Sequence, residues 1–370
     1  MVYRVIGLMS GSSLDGLDIA YAHLTEIGGK WSYEIKAADC YGYDHVWKQK
    51  LRSAIDLSAR DYQLLHADYG HFLGSQINRF INEHGLQYQV QLIASHGHTT
   101  FHNPEKRMTA QLGEGAAIAA ETGIPVISDL RSMDIALGGQ GAPVVPIGEK
   151  CLFPGYSFFL NIGGIANITQ KQNENFIAFD ICPANSILNQ LSSELGKEFD
   201  TDGEMASRGK INEPLLKKLN EQSYYKQGYP KSLSNSFGKD IVYPIVKAAD
   251  CSPIDALRTY VEHINQQIEN ALQSLMDANE NIQTDSGHQQ LLATGGGSFN
   301  LFLIEQLKSR LRKRGIEVVV PEENLVKYKE AVIMGLMGVL RWREENNVMA
   351  SVTGARRSSI GGAIWMGANP

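Results

Sequence analysis

The chain has 370 residues, of which 43% are hydrophobic and 20% charged, and a formal net charge of −6. These values describe a globular protein with real cores and exclude a disordered tail protein. No basic excess points to a nucleic-acid partner. The length predicts two domains, or three. Ala331–Leu340, the longest apolar run without a charge, has ten residues, while a membrane span needs about 20, so no membrane association is expected.

In chain order, Val2–Gly7 predicts a strand, Gly11-Ser12-Ser13-Leu14-Asp15-Gly16 a turn, and Leu17–Leu24 a second strand by its alternation. Together they form a β-hairpin with a Gly/Ser/Asp loop. Tyr62–Asn82 has helical spacing, Leu92–Ser95 reads as a short buried strand, and Leu112–Thr122 as a helix ended by Gly123 before Pro125. Ile124–Ser128 is another short strand. Gly138-Gly-Gln-Gly-Ala-Pro143 and Phe153-Pro-Gly155 break the pattern and put a domain boundary near 140–155. Phe158–Thr169 repeats the hairpin plan around a tight Gly163-Gly164 turn. Residues 255–278 predict a long helix and 279–288 a polar loop. Gln290–Thr294 is a strand running into Gly295-Gly296-Gly297. Phe302–Leu311 follows as helix, Glu317–Pro321 as strand and Glu330–Glu345 as helix. Strands alternating with helices mean α/β. Two glycine-turn hairpins roughly 150 residues apart predict two copies of one mixed-sheet unit.

The start of the chain has too short an apolar stretch before Ser10 to read as a secretory signal. Cys40, Cys151, Cys182 and Cys251 make no CxxC pair, so reduced thiols in a cytoplasm are expected. Walker A, GxGxxG, HExxH and GxSxG patterns are all missing.

The Gly11–Asp18 loop can turn backbone N–H groups and Ser hydroxyls toward phosphate oxygens, and Asp15 or Asp18 could hold Mg²⁺; an ordinary hairpin turn is the alternative. Asn161–Asn167 is a second candidate phosphate loop, or a hairpin whose glycines serve positive φ. Ala293–Asn300 joins a strand to a helix, and its three glycines permit close approach by a base or ribose. Asp180 ends the apolar strand Phe176–Phe179, a place suited to a general base, or to a capping role. Ser95-His-Gly-His-Thr-Thr-Phe-His102 allows a metal reading through His96, His98 and His102, although a polar substrate-lining loop is favoured. Arg131 could clamp a carboxylate or make a surface ion pair.

Three glycine loops in this order, two of them on hairpins of a duplicated α/β unit, resemble the actin/hexokinase-like (ribonuclease H-like) ATPase superfamily, in which two lobes close over a nucleotide. Gly7–Asp18 is similar to the phosphate loop of the anhydro-N-acetylmuramic acid kinase family, with Ser12 where that family usually has Thr. Ser95-His-Gly-His-Thr99, Gly138–Pro146, Asn161–Asn167, Pro230-Lys-Ser232, Gly295–Gly297, Lys329-Glu-Ala331 and Val352–Arg357 resemble its other blocks, so the likeness runs the whole chain. The family's Asp-Thr-Gly-Pro-Gly-Asn stands here as Asp180-Ile-Cys-Pro-Ala-Asn185; Cys182 and Ala184 carry side chains where glycines are usual.

The resemblance implies an ATP- and Mg²⁺-dependent kinase that opens 1,6-anhydro-N-acetylmuramic acid and yields N-acetylmuramic acid 6-phosphate, a step of cell-wall recycling. It implies a first lobe of residues 1–145 with 350–370 and a second of 146–349, with the nucleotide cleft between them. Asp180 would be the base. Gly11, Ser12, Ser13, Leu14, Asp15, Gly16, Leu17, Asp18, Gly163, Gly164, Gly295, Gly296 and Gly297 would bind ATP, with Asp15 a candidate for Mg²⁺. Ser95, His96, Arg131 and Glu330 would line the amino-sugar pocket. A cytoplasmic homodimer is the expected form. A conventional sugar kinase of the same fold, and a nucleotide-binding regulator without turnover, are the other readings.

Overall fold

The structure is a computed structural model that describes residues 1–11, 14–172, 175–234, 236–277 and 289–367. The polar loop expected at 279–288 lies outside the described residues, as do Ser12 and Ser13. The chain divides into two compact units, Met1–Pro154 with Tyr328–Pro370, and Gly155–Lys327.

The first unit carries β1 (Val2–Ser10), β2 (Gly16–Ile27), β3 (Lys30–Gly42), β4 (Leu92–Asn103), β5 (Met108–Leu112) and β6 (Val126–Ser128). The second carries β7 (Phe158–Ile162), β8 (Ile165–Gln172), β9 (Asn175–Pro183), β10 (Gln289–Thr294) and β11 (Ile316–Val319). Finally β12 (Ala363–Trp365) returns to the first. One sheet runs β12-β6-β4-β1-β2-β3, with β5 on β4, and the other β11-β10-β7-β8-β9. Each contains an antiparallel meander of three strands, β1-β2-β3 or β7-β8-β9. In each, the meander's first strand pairs in parallel with a later strand, β4 or β10, which pairs in parallel with one more. The duplicated mixed-sheet, actin/hexokinase-like plan is therefore present in both units.

In the first unit the helix Ala59–Glu83 starts at a capping Ser58, whose Oγ accepts from Asp61 N at 3.1 Å and donates to the Asp61 carboxylate at 2.7 Å. Its Leu65, Tyr69, Leu73, Ile77 and Phe80 share a core with Ile6, Leu8, Ile19 and Tyr21 of the hairpin. The other helix against β1 is Glu323–Trp342, and the approach is close. A Cβ on Gly7 would sit 1.8 Å from the Ala331 carbonyl oxygen, so only glycine fits there. The second unit has its own core, in which Tyr260, Ile264, Ile268 and Leu272 of the helix Pro253–Asp277 join Phe158, Leu160, Ile162 and Ile168.

Three local readings are corrected. The helix expected over Leu112–Thr122 is Gly115–Thr122, because Leu112 closes β5 in pairing with His98. Gly123, at φ 69°, ends it as a left-handed cap. The segment Ser95–His102 is not a loop but the continuation of β4, held between β1 and β5. Gly163 and Gly164 both turn the second hairpin without positive φ; in the first hairpin it is Leu14 that adopts the left-handed region, at φ 58°. Among the described residues, no helix is long and apolar enough to cross a membrane.

Candidate active site

In the second unit, β7 and β10 are parallel, with Thr294 beside Asn161. The turn at Gly163-Gly164 and the loop Gly295–Gly297 therefore leave the sheet side by side. Because β8 is antiparallel to both of its neighbours, β9 runs in the same sense as β7, and Asp180 lies near the C-terminal end of β9. Three functional candidates thus gather at the carboxyl edge of one sheet, the customary ligand edge of an open α/β sheet.

Packing at that edge explains the glycines. A Cβ on Gly295, whose φ is +83°, would meet Asn161 Oδ1 at 2.4 Å, and one on Gly297 would meet Ile162 Cγ2 at 2.3 Å. The helix Asn185–Glu194 begins against the turn. The amides of Ala184 and Asn185 donate to the carbonyls of Gly164 and Gly163 at 2.8 and 3.0 Å, and Asn185 Nδ2 donates to the Ile162 carbonyl at 3.1 Å. Cys182 and Ala184 stand where side chains were not expected. Both are fully buried in the core of this unit, so that departure is absorbed inward.

Beside Gly296 and Gly297 opens a cavity of about 420 Å³, lined also by Asn185, Phe199, Asp202, Phe299 and Lys327. Lys327 Nζ lies 5.7 Å from the centre of the Phe299 ring.

Asp180 is partly buried, and desolvation raises its pKa above the ordinary carboxylate value; the Leu233 N–H, which donates to Oδ2 at 2.8 Å, works against that rise. The bulge between Ala166 and Asn167 sets Asp180 opposite Asn167.

In the first unit the turn after β1 pairs Ser10 with Leu17 and Met9 with Asp18. Leu14 N donates to the Gly11 carbonyl at 3.4 Å, Leu14 is buried and Asp15 is exposed. Gly16 packs on β3, where a Cβ would lie 2.7 Å from Cys40 Sγ. Burial pushes Asp18 up to about 6, and the neighbouring charges of Glu330 and Asp15 push the same way against a hydrogen bond from Cys40. Glu330 is itself raised by desolvation, with Glu149 raising and Lys329 lowering it. Lys329 and Glu149 form a buried ion pair at 3.0 Å.

Ser95 lies on β4 opposite Leu8. Its Oγ is buried and has no hydrogen-bond partner among the described residues. His96 is buried, and desolvation brings it down to about 4 with help from the Arg131 charge, so the ring is neutral at pH 7. Each histidine of the less-favoured metal reading has Nδ1 engaged: His96 with the Gly97 carbonyl, His98 with Ser10 Oγ, and His102 with Thr109 Oγ1.

Arg131 is 8% exposed, which rules out a surface ion pair. Its Nε donates to the Gly141 carbonyl at 2.6 Å and an Nη to Thr99 Oγ1 at 3.1 Å. Asp134, next to it, accepts from Gly141 N at 2.7 Å and from Thr353 Oγ1 at 2.7 Å, tying the 138–141 loop to the chain's last segment. Sequence reasoning missed Asp134, Thr353, Tyr224 and Leu233; their roles come from pairings across 44 to 219 residues, which leave no local pattern.

The sequence profile of one family, described as anhydro-N-acetylmuramic acid kinase, matches residues 3–367. The chain belongs to the anhydro-N-acetylmuramic acid kinase family. Its curated relatives include the anhydro-N-acetylmuramic acid kinase of Caldanaerobacter subterraneus subsp. tengcongensis, 31% identical over 97% of this chain and 96% of that one. The protein of the same description from Bacillus thuringiensis subsp. konkukian is 29% identical over 97% of this chain and 98% of that one. Among solved structures, the activator of the 2-hydroxyisocaproyl-CoA dehydratase from Clostridium difficile with bound ADPNP is 13% identical, with a TM-score of 0.42, over 93% of this chain and 96% of that one. As a member of the anhydro-N-acetylmuramic acid kinase family, the chain is a kinase.

Proposed function

We propose that this chain uses ATP and water to convert 1,6-anhydro-N-acetylmuramic acid into N-acetylmuramic acid 6-phosphate and ADP, as a cytoplasmic step of peptidoglycan recycling. The observation that carries this reading is the gathering of Asp180, the Gly163-Gly164 turn and the Gly295–Gly297 loop at the carboxyl edge of one sheet. Asp180 takes a proton from water, whose oxygen attacks the anomeric carbon. The bond from that carbon to the bridging oxygen breaks, and the freed six-position oxygen takes the γ-phosphoryl of ATP. Such transfer rests mainly on positioning and on spreading phosphate charge.

By the family resemblance, Gly11–Asp18 and Gly163-Gly164 are the candidates for the phosphates, and the cavity beside Gly296 is suited to the nucleoside. Ser95, His96, Arg131 and Glu330 are the candidates for the sugar. Ser95 Oγ, buried and without a partner among the described residues, is suited to meet a ligand atom, and Arg131 offers a cation for the lactyl carboxylate. Among the described residues no group of three metal-binding side chains occurs. A nucleotide-borne Mg²⁺ asks for only one or two carboxylates. Asp15 fits that demand, in company with Asp18, whose proton affinity is raised by burial and by the nearby charges of Glu330 and Asp15. Bound there, Mg²⁺ would supply neutralisation of phosphate charge. A homodimer is also proposed, to be read by light scattering.

ADP release measured with the anhydro-sugar in heavy-oxygen water tests the reaction. The label is expected in the anomeric hydroxyl, and Asp180→Asn is expected to lose about 10²–10⁴-fold in rate. Because Asp180 must be ionised and burial raises its pKa above that of an ordinary aspartate, activity falls as pH drops through that raised value. Label in inorganic phosphate would overturn the reading, and phosphorylation of free sugars without ring opening would replace it with a conventional sugar kinase.

A further inference from the structure

Asp180 sits on β9, the edge strand of its sheet, yet its backbone is not left open. A strap of chain running from Tyr224 to Leu233 brackets it. Tyr224 Oη donates to the Asp180 carbonyl at 2.6 Å, Asp180 N donates to the Lys231 carbonyl at 3.4 Å, and Leu233 N donates to Asp180 Oδ2 at 2.8 Å. The strap is itself anchored. Tyr225 Oη lies 3.2 Å from Nε2 of the fully buried His263, whose Nδ1 is 2.7 Å from Asn220 Oδ1. Tyr229 stacks on Phe179 at 5.6 Å, and Lys231 Nζ lies 4.6 Å from the Tyr224 ring centre while donating to the Tyr224 carbonyl at 3.4 Å.

This arrangement goes beyond what an edge strand needs. Two contacts secure the main chain of Asp180 where the bulge re-aims it, and the third takes one of its two carboxylate oxygens. We propose that Tyr224 and the backbone N–H of Leu233 are positioning groups for Asp180, the tyrosine fixing the strand at the bulge and the amide fixing Oδ2 so that Oδ1 is presented to the attacking water. The proposal rests on the reading of Asp180 as the general base. Holding the carboxylate in one rotamer favours the reactive geometry over the many that would not transfer a proton.

Tyr224→Phe keeps the ring and its contacts with Lys231 and removes only the hydroxyl. It is expected to lower kcat about 10- to 100-fold while leaving KM for sugar and for ATP within about twofold, since the hydroxyl is spent on the Asp180 carbonyl. Leu233→Pro removes the amide donor, whereas Leu233→Ala keeps it. Donation to the ionised carboxylate holds the Asp180 pKa down, so in Leu233→Pro the acid limb of kcat/KM moves to higher pH, while in Leu233→Ala it stays. The titratable groups around Asp180 are Tyr224 and Lys231 of the strap and Cys182 on its own strand. Burial pushes Tyr224 and Cys182 further up, away from the acid range, and pushes Lys231 down.

If Tyr224→Phe keeps wild-type kcat and Leu233→Pro keeps the wild-type acid limb while Asp180→Asn is inactive, the positioning role is wrong and the base assignment survives. If Asp180→Asn turns over normally, the base assignment itself fails. Should Leu233→Pro not fold, as seen by circular dichroism, the split between kcat and KM in Tyr224→Phe decides alone.

Discussion

Lys329→Met isolates one carboxylate inside the first unit. Lys329 Nζ lies 3.0 Å from Glu149 Oε1, and the two side chains are 5% and 3% exposed. The other carboxylate oxygen, Oε2, has no partner among the described residues. Lys329 is therefore the only side chain bonded to the Glu149 carboxylate among the described residues. Methionine fills a similar volume, so the loss is electrostatic rather than a cavity. A buried pair deprived of one member typically costs about 3–5 kcal/mol, because the remaining charge keeps its desolvation cost without its attraction. All four tryptophans, Trp31, Trp47, Trp342 and Trp365, belong to the first unit. Urea unfolding followed by intrinsic fluorescence therefore reads that unit directly. Adding Glu149→Gln to Lys329→Met removes the stranded charge and is expected to recover most of the loss. A loss below about 1 kcal/mol, or one that Glu149→Gln does not relieve, would refute the reasoning. Turnover adds a second readout: Lys329 is the neighbour that favours ionised Glu330, so a stable but slow double variant assigns the pair to function.

Other outcomes follow from the same geometry. Gly297→Ala drives a methyl to 2.3 Å from Ile162 Cγ2, which is expected to cost about 1–3 kcal/mol and to raise KM for ATP while sparing KM for the sugar; an unchanged KM for ATP would separate that loop from the nucleotide. Asp18 has a folded pKa of about 6 against 3.8 in the unfolded chain. The unfolded state gives up its proton first, so stability falls as pH rises from about 4 to 6 and stays lower above. Asp18→Asn is expected to flatten that fall by about 2–3 kcal/mol in urea melts, and parallel profiles for the two proteins would contradict it. Arg131→Ala removes a charged hydrogen-bond donor worth about 1.5–3 kcal/mol and is expected to raise KM for the sugar at least about tenfold, with no change there excluding Arg131 from the pocket.

The glycine-turned hairpins were legible because their glycines interrupt apolar alternation, and that alternation survives in the burial of Ile6, Leu8, Leu17 and Ile19. β3 was not legible: as an edge strand its side chains alternate between exposed and half-buried, so Lys30–Gly42 reads as polar chain until β2 pairs with it. The length of β4 was hidden for a related reason. Its histidines have weak strand preference, and only the flanking β1 and β5 hold them extended. Asp180 stood out at the end of an apolar strand, but the Tyr224–Leu233 strap did not, since nothing local in Pro230-Lys-Ser232 says that it closes on a residue about fifty positions earlier. The sequence left Arg131 open between a carboxylate clamp and a surface ion pair, because its partners, Gly141 and Thr99, meet it only in the folded chain.

The divided make-up of the first unit has a consequence for synthesis. Residues 155–327 form a continuous unit, but β1 lacks the helix that Gly7 was shaped to meet until Tyr328 and the residues after it have emerged. At typical elongation rates of about 5–20 residues per second, the N-terminal 154 residues wait roughly 10–40 s for that helix and for the Thr353 that latches Asp134. Throughout that interval the second unit can complete itself while the first keeps an apolar sheet face uncovered. Stalled nascent chains ending before residue 328 would then yield a protease-resistant fragment from the middle of the protein, and the N-terminal 154 residues would depend on chaperones until translation ends.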